Sequence, residues 1–175
     1  MAFFEHDGAT IHYQVAGHGF PVLLIAPGGM HSAFNKWALM PWNPLAALTD
    51  DFQVIAMDQR NAGQSTAPIS ATDGWDTYTA DQLALVDHLG IDRFAVAGMC
   101  IGGPYITGLC MAAPERVAAS VILQPIGLDN NHQAFYDMFD GWRAEVAPAH
   151  PEADDAAFDA FRSNMYDGEF MFNTT

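Results

Sequence analysis

The distribution of apolar residues constrains this chain more than any other feature of its sequence. Four short, mainly apolar runs, at residues 21–26, 52–57, 94–97 and 118–123, are separated by stretches with helical spacing. A run of that length without polar alternation is what a strand covered on both faces requires. Strands of this kind alternating with helices build a mainly parallel sheet with flanking helices, so the expected fold class is α/β. Ahead of the first run, Phe3-Phe4 and residues 11–15 alternate in polarity around His6-Asp7-Gly8-Ala9, which predicts a hairpin. The helical stretches are 34–48, interrupted by Pro41 and Pro44, and 78–89, where Leu85 and Leu89 lie one turn apart and Gly90 supplies a stop.

After residue 123 the pattern changes. Phe135, Met138, Phe139 and Trp142 fall at i, i+3, i+4 and i+7, one apolar stripe on a helix of about three turns. A Pro-rich break at 147–151 leads to a second amphipathic stretch carrying Phe158, Phe161 and Met165, and no further strand is expected. The chain therefore divides into a core, residues 1–127, and a helical cap or lid segment, residues 128–175. Its 175 residues, half of them apolar, suffice for one compact domain. Fraying is expected only at Asn173-Thr174-Thr175.

Charge narrows the partners. Six Lys and Arg stand against 21 Asp and Glu, a formal net charge of −15, and Lys36 is the sole lysine. Nucleic acid is excluded as an expected partner, because phosphate backbones are held by clustered cations, and anionic membrane surfaces are disfavoured for the same reason. No run approaches the length of a membrane-spanning helix, and the first residues lack the basic and apolar regions of a secretory signal. A cytoplasmic location is expected. Cys100 and Cys110 form neither a disulfide framework nor a zinc pattern, and no metal or organic cofactor is anticipated.

The segment Gly98-Met99-Cys100-Ile101-Gly102-Gly103 sits where an apolar strand passes into a helix. A nucleophile on so sharp a turn adopts a strained backbone, and its neighbours two residues away on either side must be very small. Gly98 and Gly102 meet that demand. The helix beyond Cys100 directs free N–H groups and a partial positive charge at the sulfur, which favours the thiolate. Cys110, further along that helix, reads as a core residue.

This segment resembles the nucleophile elbow of the α/β-hydrolase fold superfamily, with cysteine in place of the usual serine, as in dienelactone hydrolases and polyhydroxyalkanoate synthases. Two further stretches resemble the same family in the right order. Residues 23–30, Leu-Leu-Ile-Ala-Pro-Gly-Gly-Met, resemble the strand and loop that carry the oxyanion donor, with Pro27 where histidine is usual. Residues 58–65, Asp-Gln-Arg-Asn-Ala-Gly-Gln-Ser, resemble the Asp-X-Arg-Gly-X-Gly-X-Ser turn, with Asn61 in place of glycine. The likeness runs from about residue 10 to 125. It implies Cys100 as nucleophile and the N–H groups of Ile101 and Gly29 as oxyanion donors, with Met30 as donor if the loop is shifted by one. Asp58 is read as an organiser of its turn with Arg60 and Ser65 instead of an acid or base.

In the family, the histidine and acid that serve the nucleophile follow the last two strands, beyond a cap inserted after the strand that here ends near Leu123. This chain ends within or just after that cap. His31, His132 and His150 are read as surface or packing residues, and Asp129, near an alternative acid position, has no recognised histidine to orient. The resemblance implies a C-terminally incomplete fold, which would leave an apolar edge at residues 118–123 open to pairing. Three resolutions are open: a fragment, which is preferred; a second chain that supplies the rest; or a homodimer through that edge. The expected activity is hydrolysis of ester, lactone or thioester bonds through Cys100, on a small hydrophobic acyl substrate held under an apolar cap. Noncatalytic binding and acyl transfer are the alternatives.

Overall fold

The computed structural model of the chain describes residues 2–126 and 132–166. Six strands form one sheet in the order β1-β2-β4-β3-β5-β6. The hairpin of β1 (Ala2–His6) and β2 (Ala9–Gly17) turns at Asp7 and Gly8, both at positive φ, and pairs antiparallel to β4 (Phe52–Met57). From there the sheet is parallel: β4 to β3 (Phe20–Ile25), β3 to β5 (Phe94–Met99), and β5 to β6 (Val117–Leu123). The predicted strands correspond to β3 to β6, so the sheet is mixed but parallel at its centre, as the apolar runs require.

Between β3 and β4 the chain does not form one interrupted helix. It makes two short 3₁₀ turns, at Gly29–His31 and Phe34–Leu39, and a single helical turn α1 (Pro44–Ala47). Pro44 lacks an N–H to continue a preceding helix and instead opens a new one, with Asn43 Oδ1 accepting from Leu45 N–H at 3.1 Å. Helix α2 (Trp75–His88) starts one turn earlier than the spacing predicts. It closes as expected at Gly90, whose φ of +67° allows Ile91 N–H to reach Val86 O at 2.9 Å. Helix α3 (Gly102–Ala112) follows β5, and α4 (His132–Val146) and α5 (Asp155–Tyr166) are the two predicted amphipathic helices.

One face of the sheet is thickly covered. There α2 and α3 pack on Leu23, Ile55 and Val96, and the stripe of α4 joins Phe158, Phe161 and Met165 of α5 in the same core. Among the described residues, the other face has only the 3₁₀ turns and α1 over Val22, Leu24 and Val54. Its cover stops short of β6, so the expectation of burial on both faces fails there: Val121 and Ile122 are 51% and 41% exposed. An apolar groove of about 320 Å³ lies at that place, walled by Trp37, Trp42, Phe52, Ala97, Val121 and Leu123. Among the described residues β6 has no neighbour on its outer side, as anticipated for residues 118–123. The boundary expected at residue 127, and the frayed terminus, lie outside the described residues.

Candidate active site

Cys100 sits between β5 and α3 with φ +59°, one of four non-glycine residues at positive φ among the described residues. A side chain in this left-handed region costs about 1–2 kcal/mol, so surrounding structure must hold it there. It does: Cys100 N–H donates to Leu123 O at 3.0 Å, and Cys100 O accepts from Gly103 N–H at 3.0 Å and Ile126 N–H at 3.3 Å. The flanking glycines are required by packing. A Cβ on Gly98 would come within 3.1 Å of both Gly102 Cα and Ile106 Cδ1, and one on Gly102 within 3.2 Å of Ile25 O. Cys100 is partly exposed. Cys110, read as a core residue, is partly buried and packed against the core.

The loop after β3 lies at the same end of the sheet. Gly28 and Gly29 have φ of +127° and +59°, and Gly29 meets α4 directly: a Cβ there would collide with Met138 Sδ. Pro27 takes no part in the hydrogen bonds that fix the loop. These are His31 N–H to Gly28 O at 3.0 Å, Ser32 N–H to Gly29 O at 3.1 Å and Ser32 Oγ to Ala26 O at 2.7 Å. Neither Gly29 N–H nor Ile101 N–H donates to any described group, and the same holds for Met30 N–H. These donors are free for a ligand, as an oxyanion site requires.

The turn after β4 departs in part from expectation. Asp58 does organise it, accepting from Phe34 N–H at 3.0 Å and Gln64 N–H at 2.9 Å, while Ser65 Oγ donates to Asp58 O at 2.8 Å. Arg60, however, turns away from Asp58. Its Nε and Nη2 grip the two carboxylate oxygens of Asp81 on α2, at 2.7 and 3.0 Å, and Nη1 reaches Asp73 at 3.4 Å. Burial works against its charge, yet Asp81 and Asp73 hold the guanidinium even more firmly protonated than usual. Asn61 takes the left-handed conformation in place of glycine, at φ +55°, and its Oδ1 accepts from Ala67 N–H at 2.8 Å.

Sequence reading missed His12. Its Nδ1 lies 2.8 Å from Asp58 Oδ2, both side chains are buried, and its ring packs between Phe3 and Phe34. This pair braces the hairpin against β4. His31, on the loop, is partly exposed, with Nε2 3.8 Å from Glu145 Oε2 of α4; His150 pairs with Glu152 at the surface. Among the described residues no histidine hydrogen-bonds Cys100 Sγ. Asp129 and the side chain of His132 lie outside the described residues. A second missed residue is Tyr166, at the end of α5. Its hydroxyl is buried without a partner, and its pKa is pushed well up by burial and, secondarily, by the charge of Cys100.

Comparison with known proteins places the fold in a family. The family model for the alpha/beta hydrolase fold matches residues 21–168. The chain belongs to the α/β-hydrolase fold family. It is similar to a soluble epoxide hydrolase of Corynebacterium sp. strain C12, 36% identical over 97 residues, which span 55% of this chain and 32% of that one. It is similar also to haloalkane dehalogenase 2 of Mycobacterium tuberculosis strain H37Rv, 28% identical over 120 residues, 69% of this chain and 40% of the relative. Among solved structures, a variant of a Vigna radiata epoxide hydrolase superposes with a TM-score of 0.67 at 25% identity, covering 86% of this chain and 52% of that one. The chain thus spans less than half the length of these two curated relatives. No described helix is long and apolar enough to cross a membrane.

Proposed function

We propose that this chain carries the nucleophile and oxyanion donors of a hydrolase acting on ester, lactone or thioester bonds. The observation that carries the reading is a cysteine at φ +59° on a strand-to-helix bend, with unused N–H groups at Ile101 and Gly29. A non-glycine residue held in the left-handed region is of the kind found at functional sites. The names of the relatives support hydrolysis in general; the choice of acyl substrates rests on the thiol, which attacks carbonyl carbon.

In this reading the Cys100 thiolate adds to the carbonyl carbon, and the oxygen takes up the electron pair. Ile101 N–H and Gly29 N–H, with Met30 N–H as the alternative loop donor, stabilise that oxyanion, on the order of 3 kcal/mol each. Collapse breaks the bond to the leaving alcohol or thiol and leaves a Cys100 thioester. Water attacking the thioester releases the acid and restores the thiol; an alcohol or thiol acceptor in its place makes the same step acyl transfer. The core, residues 1–127, supplies this machinery, and the cap, 128–175, encloses a small, mainly hydrophobic acyl group. A net charge of −15 argues against nucleic-acid and anionic-membrane partners. A cytoplasmic location is part of the same reading.

The test is intact-mass spectrometry of the chain exposed to an activated aryl ester such as p-nitrophenyl butyrate. The expected result is one acyl adduct on Cys100, absent from Cys100→Ala. Equal ester turnover by both proteins overturns the nucleophilic reading. Noncatalytic ligand binding is the second reading, favoured by the lack of a described histidine bonded to Cys100; binding without any adduct would establish it.

A further inference from the structure

The loop that offers Gly29 and Met30 N–H is anchored to the turn after β4, and that anchor leads on to His12 in β2. Asp58 is the hub. Phe34 N–H donates to its Oδ1 at 3.0 Å, and Gln64 N–H to its Oδ2 at 2.9 Å, where Nδ1 of His12 also stands at 2.8 Å. The next residue ties the same loop a second time, Gln59 N–H donating to Ser32 O at 2.9 Å. Ser32 in turn donates its N–H to Gly29 O and its hydroxyl to Ala26 O, so Gly29 and Met30 lie between fixed points. A Cβ on Gly63 would collide with the Asp58 carboxylate and with Ala33 Cβ; its absence lets the carboxylate sit this close to the loop. His12 is held as firmly. Its N–H donates to Ser65 Oγ and its O accepts from Asp58 N–H, both at 2.9 Å, while its ring centroid lies 4.9 and 5.1 Å from those of Phe3 and Phe34.

We propose that His12 is a positioning residue for the oxyanion: through Asp58 it sets where the loop of Gly29 and Met30 holds its donors. The inference rests on the reading of Cys100 as nucleophile and of that loop as its oxyanion site. A carboxylate only accepts, so Nδ1 of His12 is the donor, and its bond to Asp58 belongs to the stronger, charge-assisted class. His12 is 2% exposed, so water does not stand in for a lost imidazole. Without it, Asp58 Oδ2 keeps Gln64 N–H alone, and a buried acceptor short of a donor is costly enough to turn and shift the groups bonded to it. Phe34 N–H, on the other oxygen of the same carboxylate, moves with it, and the donor loop follows. Donors act at full strength only when aimed at the place where the oxyanion forms, and a displacement of about 1 Å from a change far from the chemistry can cost about 100-fold in rate.

The experiment compares two reactions of the same sulfur. p-Nitrophenyl butyrate acylates Cys100 by way of an oxyanion, whereas iodoacetamide alkylates it at a saturated carbon, iodide leaving, and no oxyanion forms. Both reactions need the thiolate and access to it, so the ratio of their rates, followed as adducts on the Cys100 peptide by mass spectrometry, reads the donors alone. His12→Phe keeps the aromatic packing and removes the N–H. It is expected to slow acylation by roughly tenfold or more and to change alkylation by less than about twofold. His12→Asn, whose amide nitrogen falls where Nδ1 stands, is expected to bring acylation back to within about threefold of wild type. Should His12→Phe fail to fold, His12→Gln takes its place with the same expectation, because its amide nitrogen falls at the position of Nε2. Wild-type acylation in the variant without the donor, equal slowing of the two reactions, or no recovery in His12→Asn would overturn the positioning role alone. Alkylation of wild-type Cys100 without any ester adduct would instead overturn the nucleophilic reading, and the positioning role with it.

Discussion

A cysteine at φ +59° reverses the ordinary ranking of small residues. In a helix or strand alanine is more stable than glycine, but in the left-handed region glycine is free of the clash that a Cβ suffers. Cys100→Gly is therefore expected to be about 1 kcal/mol more stable than Cys100→Ala in urea denaturation; the opposite order would show that the bend carries no strain. A second residue-scale prediction concerns Arg60. Removing one partner from a buried ion pair costs about 3–5 kcal/mol, so Asp81→Asn is expected to be severe. Asp73 differs: burial raises its carboxyl pKa above the ordinary 3.8 by more than Ser70 N–H and Arg60 lower it. The folded chain then binds that proton more tightly than the unfolded one. The contribution is fully present below 3.8 and fades as pH rises through the raised value. Asp73→Asn should flatten the pH dependence of stability in that range and cost much less than Asp81→Asn, both read by denaturant melts across pH. The elbow was legible in the sequence because its constraint is local, spanning Gly98 to Gly102. His12 with Asp58, and Arg60 with Asp81, were not, because 46 and 21 residues separate the partners and only the sheet register and α2 bring them together.

At the scale of elements, strands β3 to β6 could be read almost to the residue, since apolar runs bounded by Gly, Pro and Asp leave little room for slippage. The stretch at 34–48 could not. Its apolar residues have roughly helical spacing, but Pro41 and Pro44 remove the donors that a continuous helix needs, and the chain settles for 3₁₀ turns that place Phe34 and Trp37 on the sheet. The α4 stripe was read correctly, and Trp142 shows what it does. The buried indole packs on Phe139, Phe158 and Phe161, and its Nε1 donates to Asn61 O at 3.2 Å, tying α4 to the turn after β4. Trp142→Ala is expected to cost about 3–5 kcal/mol through the cavity it leaves. Trp142→Phe keeps most of the apolar contact and loses the hydrogen bond, at about 1 kcal/mol. Equal effects in calorimetric unfolding would mean that the bond, not the packing, holds α4.

For the whole molecule, two properties pull in opposite directions. Among the described residues the outer side of β6 is an unpaired strand edge, with Val121 and Ile122 exposed beside the apolar groove at Trp37 and Trp42. Such an edge offers its backbone to any strand that approaches, and a second chain or a second copy of this one is the partner we propose for it. Against that stands a net charge of −15, which makes two copies repel. The repulsion is long-ranged and screened by salt, with a Debye length of about 30 Å at 0.01 M and about 8 Å at 0.15 M, whereas edge pairing and apolar contact are short-ranged and survive screening. Self-association should therefore increase with ionic strength, the reverse of what surface ion pairs would give. In sedimentation velocity the chain is expected to move from monomer towards dimer as salt is raised. Val121→Lys, which puts a charge on the exposed face of the edge strand without disturbing a buried residue, is expected to hold it monomeric at every salt concentration. A dimer that dissociates with added salt, or one that Val121→Lys leaves intact, would place the contact somewhere other than β6.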